Sequence, residues 1–148
     1  MFSCLLVSSL LVAGVRAAFL DDKIASLPGW AGELPSNQYS GYLNASGSQL
    51  HYWLVESEAD PETAPTVLWF NGGPGCSSLD GFVYEHGPFV VSKDGLTLTP
   101  REYRWNLLVN MLYIEAPVGV GFSYSESGDY KCNDDKTATE NYVSPYIL

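Results

Sequence analysis

The run Trp69-Phe70-Asn71-Gly72-Gly73-Pro74-Gly75-Cys76-Ser77-Ser78 carries the clearest chemical signal in the chain. An apolar stretch, residues 66–70 (TVLWF), leads straight into paired glycines. With no Cβ in the way, the backbone there can pass close to a ligand. Pro74 has no N–H of its own, while the Gly72 and Gly73 N–H groups remain able to donate. Free amide donors at a strand end suit the stabilisation of a tetrahedral oxyanion. A bare Gly-Gly-Pro-Gly reads equally as a tight turn needing positive φ, and spacing alone leaves both readings open. A second loop, residues 116–123 (APVGVGFS), lacks both Gly-Lys-Ser/Thr and the Gly-x-Gly-x-x-Gly spacing. It therefore reads as close backbone packing beside a site, not as a phosphate cradle. Ser123 and Ser125 sit in no Gly-x-Ser-x-Gly and do not read as nucleophiles. His51 alternates within a strand and His86 ends a helix, so both read as structural. No metal site and no cofactor is expected.

The elements around these loops are mostly strands. Residues 39–43 and 49–55 are aromatic and β-branched runs, and they predict a β-hairpin closed by the five residues 44–48, Asn-Ala-Ser-Gly-Ser. Residues 66–70 are apolar on both faces, as in the centre of a covered sheet. Residues 79–86 predict one or two helical turns, capped by Ser77 or Ser78 and stopped by Gly87-Pro88. Residues 89–92 and 96–99 predict a second hairpin through Lys93-Asp94-Gly95, and residues 107–114 another buried strand. The class is mixed α/β, rich in sheet at this end.

Composition narrows the partners. The chain has 148 residues, 46% hydrophobic and 16% charged, which excludes a disordered tail and suits one domain. Seven Lys and Arg against 17 Asp and Glu give a net charge of -10, and no run of three basic residues occurs. No nucleic-acid partner is expected. Residues 5–15 form an apolar stretch too short for a membrane span and suited to a secretory signal. Cleavage is expected after Ala17, with Ala18 the alternative, which removes Arg16 and Cys4. A soluble, lumenal product follows, and entry to that route makes Asn44-Ala45-Ser46 a glycan acceptor.

Taken whole, WFNGGPGCSSLDGFVYEHGPF and RWNLLVNMLYIEAPVGVGFSYS resemble the two hallmark segments of the serine carboxypeptidases, a branch of the α/β-hydrolase fold. QYSGYLNASGSQLHYWLVES resembles their N-terminal hairpin, and the likeness runs from about Leu27 to Tyr142. Leu79-Asp80-Gly81 and the Glu85–Phe89 string (EHGPF) look closest to lysosomal members. The resemblance implies the N-terminal part of an α/β-hydrolase sheet and a substrate that is a peptide with a free C-terminus, cut at acid pH. It implies Gly73 as oxyanion donor. Asn71, Gly72 and Glu85 would hold the terminal carboxylate, braced by Trp69, with Asp80 and Tyr84 lining the leaving-residue pocket. Desolvation and like charge would raise the Glu85 pKa, so that a neutral Glu85 donates to the substrate. It also implies a disulfide from Cys76 to a cysteine further along, for which the chain offers only Cys132 after signal removal. No Gly-x-Ser-x-Gly occurs, and residues 143–148 (VSPYIL) depart from the family pattern, with Pro145 interrupting the onward helix. The 148 residues are expected to be inactive alone, with exposed apolar faces on TVLWF and LLVNMLYI. The alternative is a non-catalytic binding form that keeps carboxylate recognition.

Overall fold

A computed structural model of the chain describes residues 20–143. The expected signal segment with Cys4 and Arg16, and the tail from residue 144 with Pro145, lie outside the described residues.

Strands β1 (Gln38–Ala45) and β2 (Ser48–Val55) form the expected antiparallel hairpin, in the register Tyr39↔Leu54 and Tyr42↔His51. The predicted five-residue loop is corrected to two residues. Pairing continues through Asn44↔Gln49 and Ala45↔Ser48, and only Ser46 and Gly47 turn the chain. Both have positive φ, 58° and 89°, the combination whose twist matches the flanking strands. The Asn44 side-chain oxygen accepts from the Gly47 N–H at 3.1 Å and holds the corner.

Strand β3 (Thr66–Trp69) follows a Pro-rich connection. A helical segment begins at Leu79 and tightens into a π-helical turn, Gly81–Glu85. Strands β4 (Phe89–Val91) and β5 (Leu98–Pro100) form the second hairpin. Residues 107–109 are not strand as predicted: a 3-10 turn, Trp105–Leu107, precedes β6 (Asn110–Ile114). A short β7 (Tyr124–Ser125) pairs with the start of β2, and helix α1 (Asp134–Val143) docks on the hairpin through Ser48 Oγ–Glu140 at 2.6 Å.

The main sheet runs β1-β2-β6-β3, with β6 antiparallel to β2 and parallel to β3. This is the mixed α/β arrangement expected. The central position of β6 buries Met111–Ile114, correcting the expected exposure of LLVNMLYI for that part, while at Leu108, 74% exposed, the expectation holds. Leu112 and Ile114 pack on one face with Leu43, Leu50 and Tyr52, and Met111 and Tyr113 pack on the other with Val55, Phe82 and Phe89. Each face of one strand thus enters a separate core cluster, which is why the run is apolar throughout. β3 differs, being an edge strand, and Leu68 is 37% exposed, so burial on both faces does not hold there. The outer edge of β1 is covered by the N-terminal segment through Ile24 N–H to Gln38 O and Ser40 N–H to Asp22 O.

Candidate functional site

β3 and β6 run parallel, so their C-terminal ends deliver the two glycine-bearing loops to the same side of the sheet. Ser78 ties the first loop down. Its hydroxyl donates to the Ile114 carbonyl at 2.6 Å and accepts the Asn71 N–H at 3.1 Å, and the residue is buried. Ser77 is the serine that caps the helical segment, accepting the Leu79 N–H at 3.2 Å. Gly73 has φ +142°, and a Cβ there would lie 3.1 Å from the Gly75 and Cys76 nitrogens, so the turn requires glycine. The loop is a tight turn with positive φ, and its amides stay open. Among the described residues, no acceptor takes the Gly72 or Gly73 N–H, and both glycines are exposed.

Asn71 is oriented from two directions. Its Oδ1 accepts from Trp69 Nε1 at 2.7 Å and from the Gly81 N–H at 3.3 Å. With the oxygen occupied by two donors, the Nδ2 hydrogens are the side chain's free groups, and no described residue accepts them. The Trp69 ring is in turn held edge-on by His86 at 4.2 Å and by Trp105 at 6.0 Å. Asp80, Tyr84 and Glu85 all lie exposed along the helical segment that Gly81 opens.

His86 is buried between Trp105, stacked at 4.4 Å, and Tyr113, whose hydroxyl lies 3.1 Å from Nδ1. Burial pushes its pKa below the ordinary value; Glu85 works against that, and Arg101 adds to it. The ring is neutral and forms part of the wall behind Trp69.

Sequence reasoning missed Glu115. Its side chain is fully buried, accepting from His51 Nδ1 at 3.0 Å, from the Phe122 N–H at 2.9 Å and from the Ser77 hydroxyl. Burial pushes its pKa up, yet the hydrogen bonds from His51, Phe122 and Ser77 outweigh it and hold the carboxyl below its ordinary range. One ionised carboxylate thus ties the first loop, the second loop and β2 together. The second loop wraps it so closely that a Cβ on Gly121 would collide with the carboxylate. A charged residue directly after the apolar run of β6 was the available signal. Cys76 and Cys132 are both free and exposed. Among the described residues, no cluster of His, Cys, Asp and Glu could hold a metal ion.

A family model described as serine carboxypeptidase matches residues 28–144. The mouse (Mus musculus) lysosomal protective protein is 57% identical over 128 residues, covering 86% of this chain and 27% of that protein. Serine carboxypeptidase 1 of Hordeum vulgare is 48% identical over 132 residues, covering 82% and 26%. Among solved structures, Kex1ΔP, a prohormone-processing carboxypeptidase from Saccharomyces cerevisiae, superposes with a TM-score of 0.69 at 26% identity, over 86% of this chain and 32% of that one. The chain spans about a quarter of the length of these curated relatives.

Proposed function

We propose, from the premise that the chain belongs to the serine carboxypeptidase family, that its two loops recognise the C-terminal end of a peptide and stabilise the oxyanion formed when the last residue is released. The observation that carries this reading is the fixed orientation of Asn71. Two donors occupy its oxygen, so its Nδ2 hydrogens remain to meet a carboxylate. The unpaired Gly72 N–H adds a second donor and the Gly73 N–H serves the oxyanion, while Trp69 braces the network. Asp80 and Tyr84, exposed beside them, line the pocket for the leaving residue.

Glu85 completes the carboxylate site. Two carboxylates side by side repel unless one is protonated, and the like charge of the bound peptide favours the protonated form. Binding therefore strengthens as the pH falls, and the parent reaction, hydrolysis of C-terminal residues, favours acid conditions. The 148 residues hold no Gly-x-Ser-x-Gly. Peptide-bond cleavage accordingly draws its nucleophile and base from outside them, and these residues alone bind the peptide without cutting it. One relative is named a lysosomal protective protein. The same destination, or secretion, suits this chain with its N-terminal apolar segment. A glycan on Asn44 fits that route: the residue is exposed, and its Oδ1 bond to Gly47 leaves the nitrogen free for attachment. Cys76, exposed, is available to a cysteine beyond Cys132.

The test is calorimetric titration of the purified chain with one peptide in two forms, free acid and C-terminal amide. Loss of a charge-assisted hydrogen bond costs about 1.5–3 kcal/mol, so the amide should bind roughly 10–100-fold more weakly. Equal affinity for the two forms, or unchanged affinity in Asn71→Leu, would refute the assignment.

A further inference from the structure

Ser40, His51 and Glu115 form a line of hydrogen bonds that runs from the β1–β2 hairpin to the carboxylate holding both loops. Tyr42 lies directly across from His51 in the β1–β2 pairing, so Ser40, two residues earlier, shares its face and meets His51 on the diagonal. Ser40 Oγ lies 2.9 Å from His51 Nε2, and His51 Nδ1 lies 3.0 Å from Glu115 Oε2. Glu115 is fully buried and ionised, and an ionised carboxylate only accepts, so Nδ1 carries the proton. In the neutral ring Nε2 is then the acceptor, and the Ser40 hydroxyl donates to it. The imidazole is held on every side. Tyr42 and Phe122 meet its ring edge-on at 5.6 and 5.2 Å, its backbone N–H donates to Ser123 Oγ, and its carbonyl accepts the Glu115 N–H. Ser40 itself is half-buried.

We propose that Ser40, His51 and Glu115 constitute a nucleophile–base–carboxylate site, with Ser40 and His51 on the hairpin and Glu115 shared with the two loops, that reacts with activated phosphonates and aryl esters. The arrangement meets the requirements of an activated serine: a base within hydrogen-bond reach and a third group that sets its tautomer and stabilises the imidazolium. In the reaction the Ser40 oxygen forms a bond to phosphorus or to the acyl carbon. Its proton passes to His51 Nε2, the bond to fluoride or aryl oxide breaks, and that leaving group takes the proton back from the imidazolium. The substrate class follows from the backbone. The Ser40 N–H is committed to the Asp22 carbonyl at 2.9 Å, so the nucleophile's own amide is withheld from an oxyanion. Only electrophiles with good leaving groups react without that help, and peptides do not.

The experiment treats the purified chain with an aryl fluorophosphonate, followed by digestion and mass spectrometry. The expected result is an adduct on Ser40 in the folded chain, absent when the chain is labelled in urea. His51→Gln should slow the labelling by roughly 10²-fold or more, the usual worth of a positioned general base. No adduct on Ser40, an adduct on other serines only, or equal Ser40 labelling in native and urea-treated chain would overturn the proposal. Because the last comparison uses the unmodified chain, it decides the matter even where His51→Gln does not fold.

Discussion

Gly81→Ala tests the architecture of the peptide site. A Cβ at position 81 would sit 2.5 Å from Trp69 Nε1 and 3.1 Å from Asn71 Oδ1, inside the bond that orients Asn71. The indole cannot swing aside freely, because His86 and Trp105 hold its edges. Losing the Trp69–Asn71 hydrogen bond costs about 1 kcal/mol. Overpacking a filled site costs about 1–3 kcal/mol more. Alanine returns up to about 1 kcal/mol by favouring the helical turn. The net loss is about 2 kcal/mol, or roughly 8 °C in melting temperature for a domain of this size. Gly72→Ala is the contrast. A Cβ there meets nothing within 4 Å, and the stiffer unfolded chain adds about 0.4–1 kcal/mol of stability where the native backbone conformation suits alanine. Urea titration followed by tryptophan fluorescence should therefore place Gly81→Ala below the parent and Gly72→Ala at or above it. Titration with the free-acid peptide should show both weakened, Gly72→Ala because the ligand approaches where its methyl would stand. A Gly81→Ala midpoint equal to or above the parent's would refute the close packing of Trp69, Asn71 and Gly81.

Other consequences are open to measurement. His86 binds protons less readily folded than unfolded, so its stabilising effect is complete above its ordinary value of 6.5 and is lost as the pH falls below it. Melting temperatures between about pH 7 and pH 5 should fall more steeply in the parent than in His86→Phe, and parallel slopes would contradict the buried neutral ring. Glu115 has the opposite charge type and a lower window. Its depressed pKa gives stability that is full above the ordinary carboxylate value of 4.5 and is lost as the pH falls through the folded value. Glu115→Gln should cost about 3 kcal/mol at neutral pH, as expected for breaking a buried pair, and should flatten the acid limb of the stability curve; an unchanged limb would show that the carboxylate is not the group responsible. Arg104 grips Glu58 through Nε and Nη2, both at 2.6 Å, while Nη1 reaches the Arg101 carbonyl at 2.8 Å. Lysine cannot reproduce that fork, so Arg104→Lys should lose about 1–2 kcal/mol in chemical denaturation.

Local chemistry made the hairpin, the glycine loop and the helical turn after Ser77 legible. Paired glycines, a proline without an N–H and alternating aromatic residues act within a few residues of themselves. The sites of error have equally physical causes. The hairpin loop was overestimated because Ser46 at φ 58° carries no mark in its residue type, whereas Gly47 does. Burial of β3 on both faces was inferred from its apolar letters, but an edge position leaves Leu68 exposed.

The sequence by itself determined the family, the mixed α/β class and the identity of the two loops, because strings such as WFNGGPGCSS combine backbone requirements that few chains share. Only the tertiary structure decided which loops meet. Ser77, Glu115 and Phe122 converge because β3 and β6 run parallel and end on the same side of the sheet, a relation set by pairing between residues over 40 positions apart. The line from Ser40 on β1 through His51 on β2 to Glu115 after β6 belongs to that second kind of information. A hydrogen bond needs two groups at about 3 Å, and no single segment of the chain contains both.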